Sequence, residues 1–346
     1  GTDFRWIEEA EITSRETPRD VVLLERLEWG PFFGAPVEVR TAAGVVALVK
    51  ANDLSQQADG SFVLATSSYQ ADYQLCGSEP FVNQPLGCFC SGFLVAPDVI
   101  ATAGHCVKSA ADLAGIGFVF GFRMNDADTA RTTFPESDVY TGKSVIGRQL
   151  AADGTDWALV RLDRPVTGRA PVPVRTSGKV SGSARLFVIG HPCGLPQKYA
   201  PGAKVRDNAP APFFVANLDT YGGNSGSPVF NATSYKVEGI LVRGENDFVT
   251  NGTCYVSLVC PTTGCRGEDV TRASIWAGKI PKSAKAKGRA AGSSARKGKA
   301  GKSGDPDWQA VGWPLSVAIG RIPGLIVTAL TLAAVFVVPV RQAGAW

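Results

Sequence analysis

The sequence predicts an all-β fold, a barrel or a sandwich, and two observations carry that prediction. Short β-branched and aromatic runs recur along the chain (GFVFGF at 117–122, DWALVRL at 156–162, ARLFVIG at 184–190, FFVANLD at 213–219, VEGILVRG at 237–244), broken by turn residues. No long amphipathic helical pattern competes with them. At 346 residues and 45% hydrophobic content, the chain can bury a full core in one large or two small domains plus appendages.

Taken in order, residues 1–40 are charged and irregular and read as an N-terminal extension or propeptide. Strand-and-turn texture then runs from about residue 41 to 276, with a Pro- and Gly-rich shift near 165–183 that suits a crossover between two halves of one domain. Residues 277–314 begin with an Ala/Gly/Lys/Ser-rich stretch that cannot build a core and reads as a basic low-complexity linker. Within residues 315–346, the stretch 322–340 has 19 residues without a charge, bounded by Arg321 and Arg341 and flanked by Trp308, Trp313 and Trp346. That length and flanking make 315–346 a candidate transmembrane segment and a membrane tether.

Charge and cysteine content narrow the function classes. Of the 35 Lys and Arg, nine fall in residues 279–302, a run without acids. Two basic and two acidic residues follow that run, so residues 1–278 keep 24 basic and 29 acidic groups and carry a net charge of −5 despite the overall +4. A basic folded domain for nucleic acid is thereby excluded, and no nucleic-acid partner is expected. All eight cysteines lie between Cys76 and Cys265, which places the expected location outside the cytoplasm, secreted or anchored in the envelope. CYVSLVCPTTGC offers spacings of x₅ and then x₄, whereas a zinc site needs C-x₂₋₄-C pairs and a fourth ligand, so no metal or other cofactor is expected. NAT at Asn231 and NGT at Asn251 are glycosylation sequons.

Three stretches carry chemistry. In CSGFLVAPDVIATAGHC a bridge between Cys90 and Cys106 would pin the loop that presents His105, one of only two histidines in the chain. The other six cysteines allow 15 pairings. DWALVRL sets Asp156 at the start of an apolar strand, where its carboxylate can be buried and held toward a histidine. DTYGGNSGSPVF puts Ser225 in a tight Gly/Asn turn, which can aim a hydroxyl and backbone N–H groups into one cleft. Each alone is a weak signal; His, Asp and Ser together, in that order, are a strong one.

TAGHC, DWALVRL and GGNSGSP resemble the three catalytic motifs of the chymotrypsin-like serine proteases, and GNSGSPVFN resembles the bacterial glutamyl-endopeptidase branch and its trypsin-like relatives. The resemblance covers about residues 45–276. It implies two perpendicular six-stranded β-barrels with the active site in the cleft between them, and a serine endopeptidase acting on protein or peptide substrates. It implies His105 as general base, Asp156 as its orienting carboxylate and Ser225 as nucleophile, with the N–H groups of Gly223 and Ser225 as oxyanion hole.

Departures from the pattern bear on specificity. Asn224 stands where many zymogens keep an aspartate that captures a new N-terminus, so activation through that ion pair is not expected. Asp219 falls where trypsin-like enzymes keep the carboxylate at the base of the primary pocket, and Leu241 falls where the glutamyl branch has a histidine. With Val242, Arg243 and Gly244 as further substrate-binding residues, this set favours cleavage after Arg or Lys. The second histidine, His191 in GHPCGLP, matches no motif and reads as structural. The alternative, a catalytically silent protease-fold binding module at the cell surface, gives no physical reason to retain all three catalytic groups.

Overall fold

A computed structural model of the chain describes residues 19–20, 41–261 and 263–282. Six antiparallel strands form the first barrel: β1 (Val45–Lys50), β2 (Cys90–Ala96), β3 (Val99–Thr102), β4 (Ile116–Phe120), β5 (Val139–Leu150) and β6 (Asp156–Leu162). They run in the order β5-β6-β3-β2-β1-β4, and β4 pairs back onto β5 to close the ring. Residues 163–184 lead to the second set: β7 (Arg185–Gly190), β8 (Lys198–Asp207), β9 (Phe213–Ala216), β10 (Pro228–Asn231), β11 (Val237–Arg243) and β12 (Glu268–Arg272). Their order is β8-β7-β10-β11-β12-β9, closed by pairing of β8 with β9. The all-β architecture of two six-stranded barrels is therefore present, and closure leaves neither sheet with a long unpaired edge.

Strand alternation explains how the barrels pack. In β1, Val46 and Leu48 enter a core with Phe93, Phe118 and Phe120, whereas Ala47 and Val49 join Leu64, Phe122 and Phe134 on the other face. Both faces are covered, which is why VVALV is continuously apolar rather than alternating. In β7, Leu186 and Val188 point into the second barrel with Phe214, Val229 and Val270. Its neighbours Phe187 and Ile189 face outward into the cluster that contains the first barrel's core and Trp276. One apolar cluster thus runs across both barrels, with the ring of Phe93 edge-on to Trp276 at 5.9 Å.

Helix is scarce among the described residues, the longer pieces being Tyr69–Tyr73, capped by the Ser68 hydroxyl on Ala71 N–H at 3.2 Å, and Ala273–Trp276 after β12, with a further turn at 41–43. Three disulfides join Cys90 to Cys106, Cys76 to Cys254 and Cys260 to Cys265, and Cys88 and Cys193 are free thiols. Most of the 1–40 extension, almost all of the 277–314 linker and the whole 315–346 candidate span lie outside the described residues. Among the described residues no helix is long and apolar enough to cross a membrane.

Candidate active site

His105 sits in the turn that follows β3, and three features fix it there. Arg148 of β5 donates from Nε to the carbonyls of Gly104 (2.7 Å) and Val107 (2.8 Å), closing the loop from one side. The Cys90–Cys106 bridge ties the next residue back to β2. Gly104 is forced by close approach: a Cβ there would lie 2.8 Å from the Trp157 carbonyl and 3.0 Å from Asp156 Oδ1. The small residue lets the histidine backbone come within reach of the carboxylate.

Asp156, the first residue of β6, has a side chain only 2% exposed and uses both oxygens on the same partner. Oδ2 lies 2.7 Å from His105 Nδ1, and Oδ1 accepts from the His105 backbone N–H at 3.1 Å. Against a carboxylate acceptor Nδ1 must be the donor, which leaves the lone pair of the neutral ring on Nε2. The His105 side chain is 36% exposed, so its far edge is open to a reactant. Asp156 is itself steadied from the second barrel, its N–H donating to Thr271 Oγ1 of β12 at 3.3 Å.

Ser225 lies in the turn before β10, in contact with the histidine loop. Its carbonyl accepts from Ser91 N–H at 2.8 Å and lies 3.7 Å from the bridged Cys106 sulfur. Its hydroxyl makes no hydrogen bond to His105 within 3.5 Å among the described contacts; bonds between reacting side chains are often long without a reactant and tighten with one in place.

The turn's backbone donors are partitioned. Gly222 N–H goes to Asp247 Oδ2 (2.7 Å), Asn224 to the Tyr221 carbonyl (3.1 Å), Gly226 to Leu241 (2.8 Å) and Ser227 to Asn224 (2.8 Å). Among the described residues the N–H groups of Gly223 and Ser225 have no acceptor, as an anion-binding pair requires. Gly223 has φ +84°, and a Cβ there would press on Gly194 N (2.8 Å) and the His191 carbonyl (2.9 Å).

His191 is buried and has its pKa lowered to about 4, chiefly by desolvation, so at neutral pH its ring is uncharged. Nδ1 faces the Leu195 carbonyl at 3.0 Å and the ring stacks on Phe122. Its backbone N–H donates to Ser91 Oγ at 3.0 Å, and that hydroxyl donates to the Gly223 carbonyl at 3.2 Å. Thr102 Oγ1 in turn holds the Ser91 carbonyl at 2.7 Å. Ser91 is thus the node that ties β2, the His191 segment and the Ser225 turn together, a role that nothing in the local sequence around it announces.

A cavity of about 90 Å³ opens beside Ser225, lined also by Tyr221, Gly222, Leu241, Arg243, Gly244, Glu245, Asp247 and Glu268. Of the sequence-expected pocket residues, Arg243 and Gly244 line it, Val242 turns its side chain into the shared core, and Asp219 lies outside the lining. Asp219 is nonetheless in a dry setting, since burial pushes its carboxyl up to about 6. Arg243 does not neutralise it: its Nε and terminal nitrogen bind Asp269 Oδ2 at 3.0 and 2.9 Å. Asn224 is buried, and its side-chain oxygen accepts from Ser227 Oγ at 3.2 Å. Cys90, His105 and Cys106 bring potential ligand atoms close together, but both sulfurs are consumed in the disulfide. Of the two sequons, Asn231 donates from Nδ2 to Glu238 Oε1 (2.9 Å), and the Asn251 side-chain oxygen accepts from the N–H groups of Thr253 and Cys254, both at 3.0 Å.

Residues 90–240 match the trypsin-like peptidase domain family. A glutamyl endopeptidase of Bacillus licheniformis is 27% identical over 157 residues, which cover 42% of this chain and 46% of that protein, so the match spans about half the length of the relative. Among solved structures, the VesB protease of Vibrio cholerae aligns with 69% of this chain and 63% of its own at 16% identity and a TM-score of 0.44. A Glu endopeptidase aligns with 78% of this chain and 97% of its own at 14% identity, also at 0.44.

Proposed function

We propose, from the premise that residues 90–240 are a trypsin-like peptidase domain related to the glutamyl endopeptidases, that the chain is a serine endopeptidase worked by Ser225, His105 and Asp156. The observation that carries this reading is the His105–Asp156 pair, bonded at 2.7 Å through Nδ1, next to a serine turn with two N–H groups that have no acceptor among the described residues. The substrate is a protein or peptide.

In this reading His105 Nε2 takes the Ser225 proton as Oγ attacks the scissile carbonyl, and Asp156 stabilises the imidazolium that forms. The tetrahedral oxyanion accepts from the Gly223 and Ser225 N–H groups, each supporting on the order of 10² to 10³ in rate. His105 then returns the proton to the leaving amine. Water repeats the sequence on the acyl-enzyme, releasing the acid and restoring Ser225.

A preference for Arg or Lys before the scissile bond belongs to the same reading, supported by the apolar Leu241 in the cavity wall and by the carboxylates around it. The three disulfides support a location outside the cytoplasm, with residues 277–314 as spacer to a membrane anchor at 315–346.

Hydrolysis of Arg-, Glu- and Phe-ended chromogenic peptides by the full chain, beside Ser225→Ala, tests it. The expected result is cleavage that falls by about 10⁶-fold in the variant. Equal, negligible rates for both proteins, with no fluorophosphonate labelling of Ser225, would overturn it and favour a silent binding module.

A further inference from the structure

Three acidic side chains, Glu245, Asp247 and Glu268, line the cavity beside Ser225, against one basic side chain, Arg243. That arginine is committed elsewhere. It is bonded twice to Asp269 and once to the Gly154 carbonyl (3.1 Å), and it lies over the Phe213 ring. The cavity therefore presents net negative charge to whatever enters it.

Glu268 is the best placed of the three. It is the first residue of β12, paired across the sheet with Ala216 of β9, and its carboxylate lies directly over Gly244, where a Cβ would overlap it. One oxygen accepts from Glu245 N–H at 3.3 Å, and no Lys or Arg among the described residues pairs with it. Asp247 is partly spent on Gly222 N–H (2.7 Å), and Glu245 Oε1 accepts from Arg266 N–H at 2.5 Å. Asp219, the residue at the trypsin-like position, lies outside this lining.

We infer that Glu268, and not Asp219, is the residue that selects a basic side chain before the scissile bond, by a charge-assisted hydrogen bond to the substrate's guanidinium or ammonium group inside the cavity. This rests on the endopeptidase reading and sharpens it. An uncharged side chain would leave the half-buried Glu268 carboxylate with the Glu245 N–H but no cation to offset its charge, which is the condition under which a polar site discriminates strongly.

A consequence follows for pH. Burial, assisted by the neighbouring Asp247 and Glu245 charges, pushes Glu268 up to about 7, while the Glu245 N–H and the Thr220 side chain oppose the shift. The cations nearest in sequence and sheet register, Arg243 and Arg266, both pair with Asp269 instead. Selectivity for Arg should therefore rise as pH climbs through about 7, because only the ionised carboxylate attracts the cation.

The test is the ratio of kcat/KM for an Arg-ended peptide to that for its Phe-ended counterpart, measured from pH 5.5 to 8.5 on the full chain, with fluorophosphonate labelling of Ser225 in parallel. Ionisation of the general base is common to both substrates and cancels in the ratio. The wild-type ratio is expected to rise through about pH 7, and E268Q to lower it about 10- to 100-fold at pH 8 and flatten its pH dependence. A labelled wild type whose ratio is independent of pH, or a ratio that survives E268Q and collapses in Asp219→Asn, would overturn this inference alone. A wild type that is neither labelled nor active would overturn the endopeptidase reading first and this inference with it.

Discussion

The two barrels contribute to the site in different physical ways. The first holds His105 and Asp156 by saturation: a disulfide to the adjacent residue, two Arg148 bonds across the loop, and both Asp156 oxygens bonded to the histidine. The second contributes what, among the described residues, is left unsatisfied: two N–H groups without acceptors, a serine hydroxyl without a bond to the histidine, and carboxylates lifted in pKa by burial. In the proposed mechanism this contrast has a reason: a general base must be fixed before reaction, whereas groups that meet a substrate must keep bonding capacity in reserve. Each side is also braced by the other, Ser91 of the first barrel holding the serine turn and Thr271 of the second holding Asp156.

The comparison can be broken most severely on the second side. Gly223→Ala places a Cβ 2.8 Å from Gly194 N at a positive φ and should rotate one N–H out of the proposed anion site. The expected loss is about 10² to 10³ in kcat, read by peptide hydrolysis well below a Tm that the strained alanine lowers by a few degrees. A drop in Tm that accounts for the lost activity would show instead that Gly223 serves the fold.

On the first side the expected effect is on stability. Replacing Cys90 and Cys106 together by serine removes a cross-link over a sequence separation of 16 and should cost about 3 kcal/mol, read as a lower urea midpoint. Activity measured well below the new midpoint should fall further than the folded fraction alone explains, because the histidine turn loses its covalent tether.

The smallest effect concerns His191, which supports the seam between the two. Its folded pKa of about 4 lies below the unfolded value near 6.5, so the unfolded chain binds the extra proton and stability falls as pH drops through that window. At pH 5.5 the loss is about 1 kcal/mol. Asp219 and Glu268, raised by burial, titrate in the opposite sense over part of the same range. The readout is therefore the difference in urea midpoint between pH 7.5 and 5.5 for wild type against His191→Gln, and a variant with an unchanged pH slope would remove His191 from the account.

The parts of this protein whose signal is local are legible from residue order alone. Continuous apolar runs and turn residues specify strands, and TAGHC, DWALVRL and GGNSGSP carry residue types whose chemistry is intelligible within a few positions. Residue order also put Cys90 beside Cys106 as partners, because the two flank one strand pair. Contacts between distant segments emerge only on folding: Cys76 with Cys254 across 178 residues, Ser91 beneath the serine turn, and Glu268 rather than Asp219 lining the cavity. The physical reason lies in barrel closure. It brings the start of β12 alongside the end of β11, so that which carboxylate faces the cavity is set by strand register and by the absence of a side chain at Gly244, neither of which any single stretch of sequence encodes.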